Sequence, residues 1–191
     1  LHGMPIQALQ SFAPNYQGLH TLYLEDLPKL RNLDPMADWP GLHDGDSVYD
    51  KFEVRIANLP ELESIAGLAS PIASAIAKSS IDPKDGWLWI ELTDLPALVT
   101  LDGLETFTRG HLFLRRLLAI KDLAPLANLE RAGSLVLAGL PGITSLVGLH
   151  SLTQTGDLIL GGCEDGETMT SLVSLAGLDI LTEISRDLWV V

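Results

Sequence analysis

Aliphatic residues return along this chain at one fixed set of offsets. Leu22, Leu24, Leu27, Leu30 and Leu33 are followed at the same spacing by Val54, Ile56, Leu59, Leu62 and Ile65, then by Ile90, Leu92, Leu95, Leu98 and Leu101. Leu112, Leu114, Leu117, Ile120 and Leu123 make the next copy, and Leu135, Leu137, Leu140, Ile143 and Leu146 the one after. A sixth copy opens with Leu158, Leu160 and Cys163, and a seventh with Leu188 and Val190. Three copies run further at the same step, through Leu104 and Phe107, Leu126 and Leu129, and Leu149 and Leu152. Short units repeated in this way cannot bury their own leucines, so stability has to come from stacking one unit on the next.

Each unit mixes two periods. The first two ladder positions are two residues apart, as in a strand with one buried face. The later positions step by three, which fits an irregular or 3₁₀-like return path whose leucines all point to one axis. Proline follows the strand in Leu27-Pro28, Leu59-Pro60, Leu95-Pro96 and Leu140-Pro141, where it ends the pairing. Gly110, Gly133 and Gly156 precede the strands at Leu112, Leu135 and Leu158 and are expected to be corner glycines with positive φ. Longer outer units imply insertions near 36–50, 66–86 and 163–172. The second contains a short helix over 71–78 with proline in its first turn. Ile6, Leu9, Phe12 and Leu19 look like the tail of an earlier coil, and 188–191 reads as a bare strand. The expected fold is α/β: one domain over residues 1–191, a right-handed solenoid with a parallel sheet on one face and short helices or irregular segments on the other. A charged side chain at Leu137 is expected to unfold more than one coil.

If the ladder points inward, the residues between its rungs point out. The row between the two strand rungs is Tyr23, Arg55, Glu91, Phe113, Val136, Ile159 and Trp189. The row just before each strand is Thr21, Glu53, Trp89, His111, Ser134, Asp157 and Asp187. Side by side they form an apolar surface of Trp89, His111, Phe113, Val136 and Ile159, with Tyr23 and Trp189 at its ends. Apolar area on a solvated strand face marks an interface, and Trp89 and Phe113 are its best anchors.

Composition narrows the partner. Hydrophobic residues are 47% of the 191 and aromatics only 6%, with mean hydropathy +0.25, so the apolar mass is aliphatic. No apolar run is long enough to span a bilayer, and membrane insertion is not expected. The formal charge of −13, from 25 acidic and 12 basic residues, disfavours nucleic acid and anionic membrane surfaces. The single cysteine excludes a disulfide framework within the chain and a cysteine-rich metal site. The chain opens at Leu1 with no basic leader segment and reads as a piece of a longer protein.

The segments 135–149 (LVLAGLPGITSLVGL) and 92–104 (LTDLPALVTLDGL) resemble the leucine-rich repeat superfamily, most closely the receptor L-domain-like repeats also found in bacterial surface proteins. The resemblance covers nearly the whole chain. Where ordinary leucine-rich repeats carry a capping Asn, this chain has Leu27, Leu59, Leu95, Leu117, Leu140 and Cys163, which favours the L-domain-like variant over a regular horseshoe. The resemblance implies an extracellular or cell-surface protein that binds a protein, peptide or glycan without catalysis or cofactor. The alternatives are a structural spacer, a module that forms a homodimer through its sheet face, or a polysaccharide-acting β-solenoid enzyme.

Motifs for chemistry are weak by comparison. His43-Asp44-Gly45-Asp46-Ser47-Val48-Tyr49-Asp50 places carboxylates around a glycine as calcium loops do, yet lacks the distal bidentate Glu. Glu164-Asp165-Gly166-Glu167 is weaker still. No metal site is expected from either. His2, His20, His43, His111 and His150 form no ligand-spaced pair, and Cys163 on the ladder is expected to be a buried hydrophobe. Arg115 and Arg116, with Glu91 and Asp94 one coil away, are expected to form an ion-pair cluster.

Overall fold

A computed structural model of the chain describes residues 21–38, 52–78, 88–162 and 167–191. The strands are β1 (Thr21–Glu25), β2 (Phe52–Ala57), β3 (Leu88–Thr93), β4 (Arg109–Arg115), β5 (Arg131–Ala138), β6 (Gln154–Leu160), β7 (Glu183–Ile184) and β8 (Leu188–Val190). They form one parallel sheet in chain order, with β7 and β8 both paired to β6. Register joins equivalent ladder residues across the sheet: Leu22 to Val54 to Ile90 to Leu112 to Leu135 to Leu158 to Leu188. This is an α/β arrangement with few helices, compatible with a solenoid.

The three-residue step has a backbone cause. The N–H of Leu30 bonds the carbonyl of Leu27, and Leu62 bonds Leu59, Leu98 bonds Leu95, Ile143 bonds Leu140 and Leu172 bonds Met169 in the same way. A second tight turn closes Met36 on Leu33, Leu68 on Ile65, Leu104 on Leu101, Leu126 on Leu123 and Leu149 on Leu146. Bonds three residues apart turn the chain by about one third per residue, so rungs three apart share a face. Between the two turns lies a short extended stretch, bridged to its neighbour at Asn32–Ser64 and Ser145–Ser174. Small polar side chains begin the second turn: Asn32, Ser64, Thr100, Asp122 and Ser174 each accept the N–H two residues on.

The ladder is the core. Its rungs from Leu24 to Leu152 are fully or almost fully buried, among them Leu59, Leu95, Leu137 and Phe107 at 0% exposure. The last unit differs. Among the described residues no rung packs over Leu175, Leu188 and Val190, which are 53%, 58% and 61% exposed. The helix α1 (Ala69–Lys78) starts two residues before the expected one, which puts proline at its third position. It buries Ile72 and Ala75 against the core, while Thr106 and Arg109 bond the carbonyls of Ala69 and Ile76. Among the described residues no helix is long and apolar enough to cross a membrane.

Two expectations are corrected. Gly110, Gly133 and Gly156 lie inside β4, β5 and β6, and only Gly110 has a positive φ, of 135°. Their common cause is close approach. A Cβ on Gly133 would lie 2.5 Å from the His111 ring, and one on Gly156 would lie 2.2 Å from the Gly133 carbonyl oxygen. Second, the rung equivalent to Leu140 in the following unit is Met169, which is buried and bonded like its predecessors; the inserted residues therefore come before it. Cys163 lies outside the described residues, as do the N-terminal rungs Ile6 to Leu19, the segment 43–50 and residues 164–166.

Candidate functional site

The outward rows come together as the alternation requires. In β3 and β4 the burial pattern alternates, so Trp89, Glu91 and Phe113 stand on the face opposite Ile90, Leu92, Leu112 and Leu114. Register places Trp89 beside His111, and Phe113 between Glu91 and Val136. Because neighbouring strands are about 4.8 Å apart, flat side chains in adjacent strands must stack. Trp89 and Phe113 do so at 4.3 Å between centroids and 21° between planes, and Trp89 and His111 at 5.3 Å and 25°. On the side of β2, the Arg55 guanidinium is 5.8 Å from the Trp89 ring and 5.5 Å from the Tyr23 ring. The result is a ladder of π surfaces, Tyr23–Arg55–Trp89–Phe113, running across four strands.

Exposure along this ladder is uneven. Tyr23 and Trp189 are about half exposed, while Trp89, Phe113 and Ile159 are partly buried. His111 and Val136 are buried, at 8% and 2% exposure. They support the surface and offer little contact area of their own. His111 owes its position to a bulge where the register shifts between Gly110 and His111, with Gly133 leaving room for the imidazole. In this stack Trp89 has neighbours toward both adjacent strands, so it presents an edge outward.

Charges frame the aromatics. Arg55 meets Glu53 at 2.6 Å and Glu91 at 3.3 Å. Burial alone lowers the Arg55 pKa, but the charges of Glu53 and Glu91 outweigh it and hold the group above its ordinary value. Partial burial, with the Glu53 carboxylate beside it, raises the Tyr23 phenol. At the other end of the face Asp157 accepts from Ser134 at 2.7 Å and takes both Nε and Nη2 of Arg186. Burial works to raise the Asp157 pKa, and these bonds overcome it to give a net lowering.

At the corner after each of β1 to β6 stands one residue in the left-handed region: Asp26, Asn58, Asp94, Arg116, Gly139 and Gly161, with φ between 51° and 99°. From Asp26 to Gly139 each donates its N–H to a carbonyl of the next unit, which carries the ladder of bonds round the corner. Asp, Asn and Gly tolerate that conformation, and arginine does not do so readily. Arg116 is held there by a bidentate bond to Asp94, at 2.7 and 2.8 Å, and by Glu167 at 2.8 Å. Arg115 bonds the same Glu167 oxygen at 2.8 Å, and the Glu167 side chain is almost fully buried. The hydrogen bond from Arg116 lowers the Asp94 pKa. Arg116 and Asp94 therefore meet as the sequence implied, Glu91 turns instead to Arg55, and Glu167 joins the cluster across the inserted residues. Among the described residues no group of His, Cys, Asp and Glu is arranged to hold a metal ion.

Comparison with family models, with curated proteins and with solved structures finds no match to this chain. The surface has to be read from its own chemistry.

Proposed function

We propose that this chain is a non-enzymatic recognition module whose sheet face binds a protein or peptide. The observation that carries the reading is the ordered aromatic row on the outward face, from Tyr23 through Trp89 and Phe113, with Ile159 and Trp189 continuing it. Solvated strands have no use for tryptophan and phenylalanine on their outer side, and such residues dominate binding hot spots. A glycan would stack on a free ring face, and the Trp89 ring is flanked on both sides within the ladder; the edges that remain suit the side chains of a polypeptide. The sequential parallel sheet and the stacked rungs support the finer reading of a right-handed leucine-rich, L-domain-like solenoid. On that reading the protein works outside the cell or at its surface.

Selection from a random peptide display library on the purified protein tests this. Peptides that bind wild type are expected to lose binding to a folded Trp89→Ala/Phe113→Ala variant. Equal binding to both proteins would remove the sheet face from the account.

A further inference from the structure

From the Tyr23 end of the face a groove leads round the first corner. Its sheet-side half, of 420 Å³, lies between Tyr23, Glu25, Arg55 and Glu91 and reaches Asn58, Asp94 and Arg116. Its corner half, of 560 Å³, shares Asn58, Asp94 and Arg116 and ends on Pro60, Pro96 and Leu118. The two halves meet at Asn58, Asp94 and Arg116, with the sheet side the more polar and the corner side the more apolar.

The balance of charge in the polar half is negative. Glu25, Glu91 and Asp94 line it, and its two arginines are already engaged by carboxylates that include two from outside the groove: Arg55 by Glu53, and Arg116 by Glu167. Among the described residues Glu25 forms no ion pair, and it is exposed. The fold also contains its own example of what this environment accepts: the Arg55 guanidinium lies against the Tyr23 and Trp89 rings and between the Glu53 and Glu91 carboxylates. Tyr23, half exposed and already stacked with Arg55, lines the groove beside Glu25. The corner half presents Leu118, a large aliphatic side chain that is 56% exposed, in the same row as Pro60 and Pro96.

We propose that this groove binds a basic peptide, seating a lysine or arginine on the exposed Glu25 carboxylate and an apolar side chain against Leu118. The inference rests on the recognition reading above and adds the chemistry of the ligand. The whole chain's charge of −13 steers the same class of partner toward it.

The experiment uses two end-blocked fluorescent octapeptides, one alternating Arg and Leu and one alternating Glu and Leu, with binding read by anisotropy. The basic peptide is expected to bind and the acidic one not. A Glu25→Gln variant, checked for unchanged circular dichroism, is expected to lose about threefold in affinity, the scale of one exposed charge pair. Leu118→Ser is expected to weaken binding in its own right. Equal binding of both peptides, or affinity unmoved by the glutamine variant, overturns the inference. If display selection returns peptides that need Trp89 and Phe113 but carry no basic residue, the groove proposal falls while the recognition reading stands.

Discussion

Equivalent leucines along one column of the sheet make an internal scale for what stacking contributes. Leu135, Leu158 and Leu188 occupy the same register position on β5, β6 and β8, with exposures of 0%, 2% and 58%. Truncating Leu135 to alanine removes a side chain enclosed by rungs before and behind. The expected loss is about 3–5 kcal/mol, transfer plus cavity. Leu158→Ala has a neighbour on each side, but one of them is the half-exposed Leu188, so a value at the lower part of that range, about 3 kcal/mol, is expected. Leu188→Ala removes a side chain that is already more than half in water. Scaling a full burial of about 1.5–3 kcal/mol by the remaining fraction gives about 1 kcal/mol, with no enclosed cavity to add. The assay is urea unfolding followed by far-ultraviolet circular dichroism on the three variants and wild type. Stacked units need not unfold as one, so the shape of the transition is informative: Leu188→Ala should fray an early, small phase, and Leu135→Ala should move the main one. A Leu188→Ala loss equal to that of Leu135→Ala would refute the reasoning, because it would require the last rung to be as enclosed as the interior ones.

Gly133→Ala drives a methyl into the His111 ring and is expected to cost roughly 1–3 kcal/mol; His111→Ala in the same chain should recover most of it in thermal melts. Glu167→Ala leaves Arg115 and Arg116 without their shared acceptor. Both arginines keep a path to water, so the expected loss is about 1–3 kcal/mol and not the larger penalty of a fully buried charge, again read by melting. The lowered pKa values of Asp94 and Asp157 mean that their stabilisation is present above the ordinary carboxylate range, about pH 4, and is lost as pH falls through the lower folded values. Acid melts of Asp94→Asn should accordingly show a shallower fall below pH 4 than wild type does. If the sheet face served self-association instead, light scattering would find a wild-type dimer that Trp89→Ala/Phe113→Ala dissolves; the recognition reading expects one mass for both.

Much of this architecture is readable from spacing alone, because each rung has to be aliphatic and each falls at a fixed offset. The strands, their order along the chain and the rows they present follow from that. The corners were less accessible. The glycines before the strands are not the turning points; Asp26, Asn58, Asp94, Gly139 and Gly161 form a column of left-handed residues just after the strands. That signal was present in the repeated Asp-Leu-Pro, Asn-Leu-Pro and Gly-Leu-Pro triplets, and Arg116 broke it. A second column, Gly67, Gly103, Gly148 and Gly177, sits where a Cβ would meet the carbonyl of a rung one unit back. Met169 is hidden for a different reason. An insertion shifts the spacing, and the Leu172–Met169 turn bond and the Ser145–Ser174 register recover it. On the face itself, the sequence gives which residues share a side. It does not give how deeply each sits, and so the burial of His111 and Val136, set by the bulge and by flanking large side chains, emerges only in three dimensions.

The most direct test of the central claim is a nuclear magnetic resonance titration of a selected peptide into the labelled protein, followed at the Trp89 indole and the Phe113 ring. Saturable shifts at both, in step with the binding measured by anisotropy, are the result the account predicts. Saturable binding that moves other resonances and leaves those two in place would contradict it.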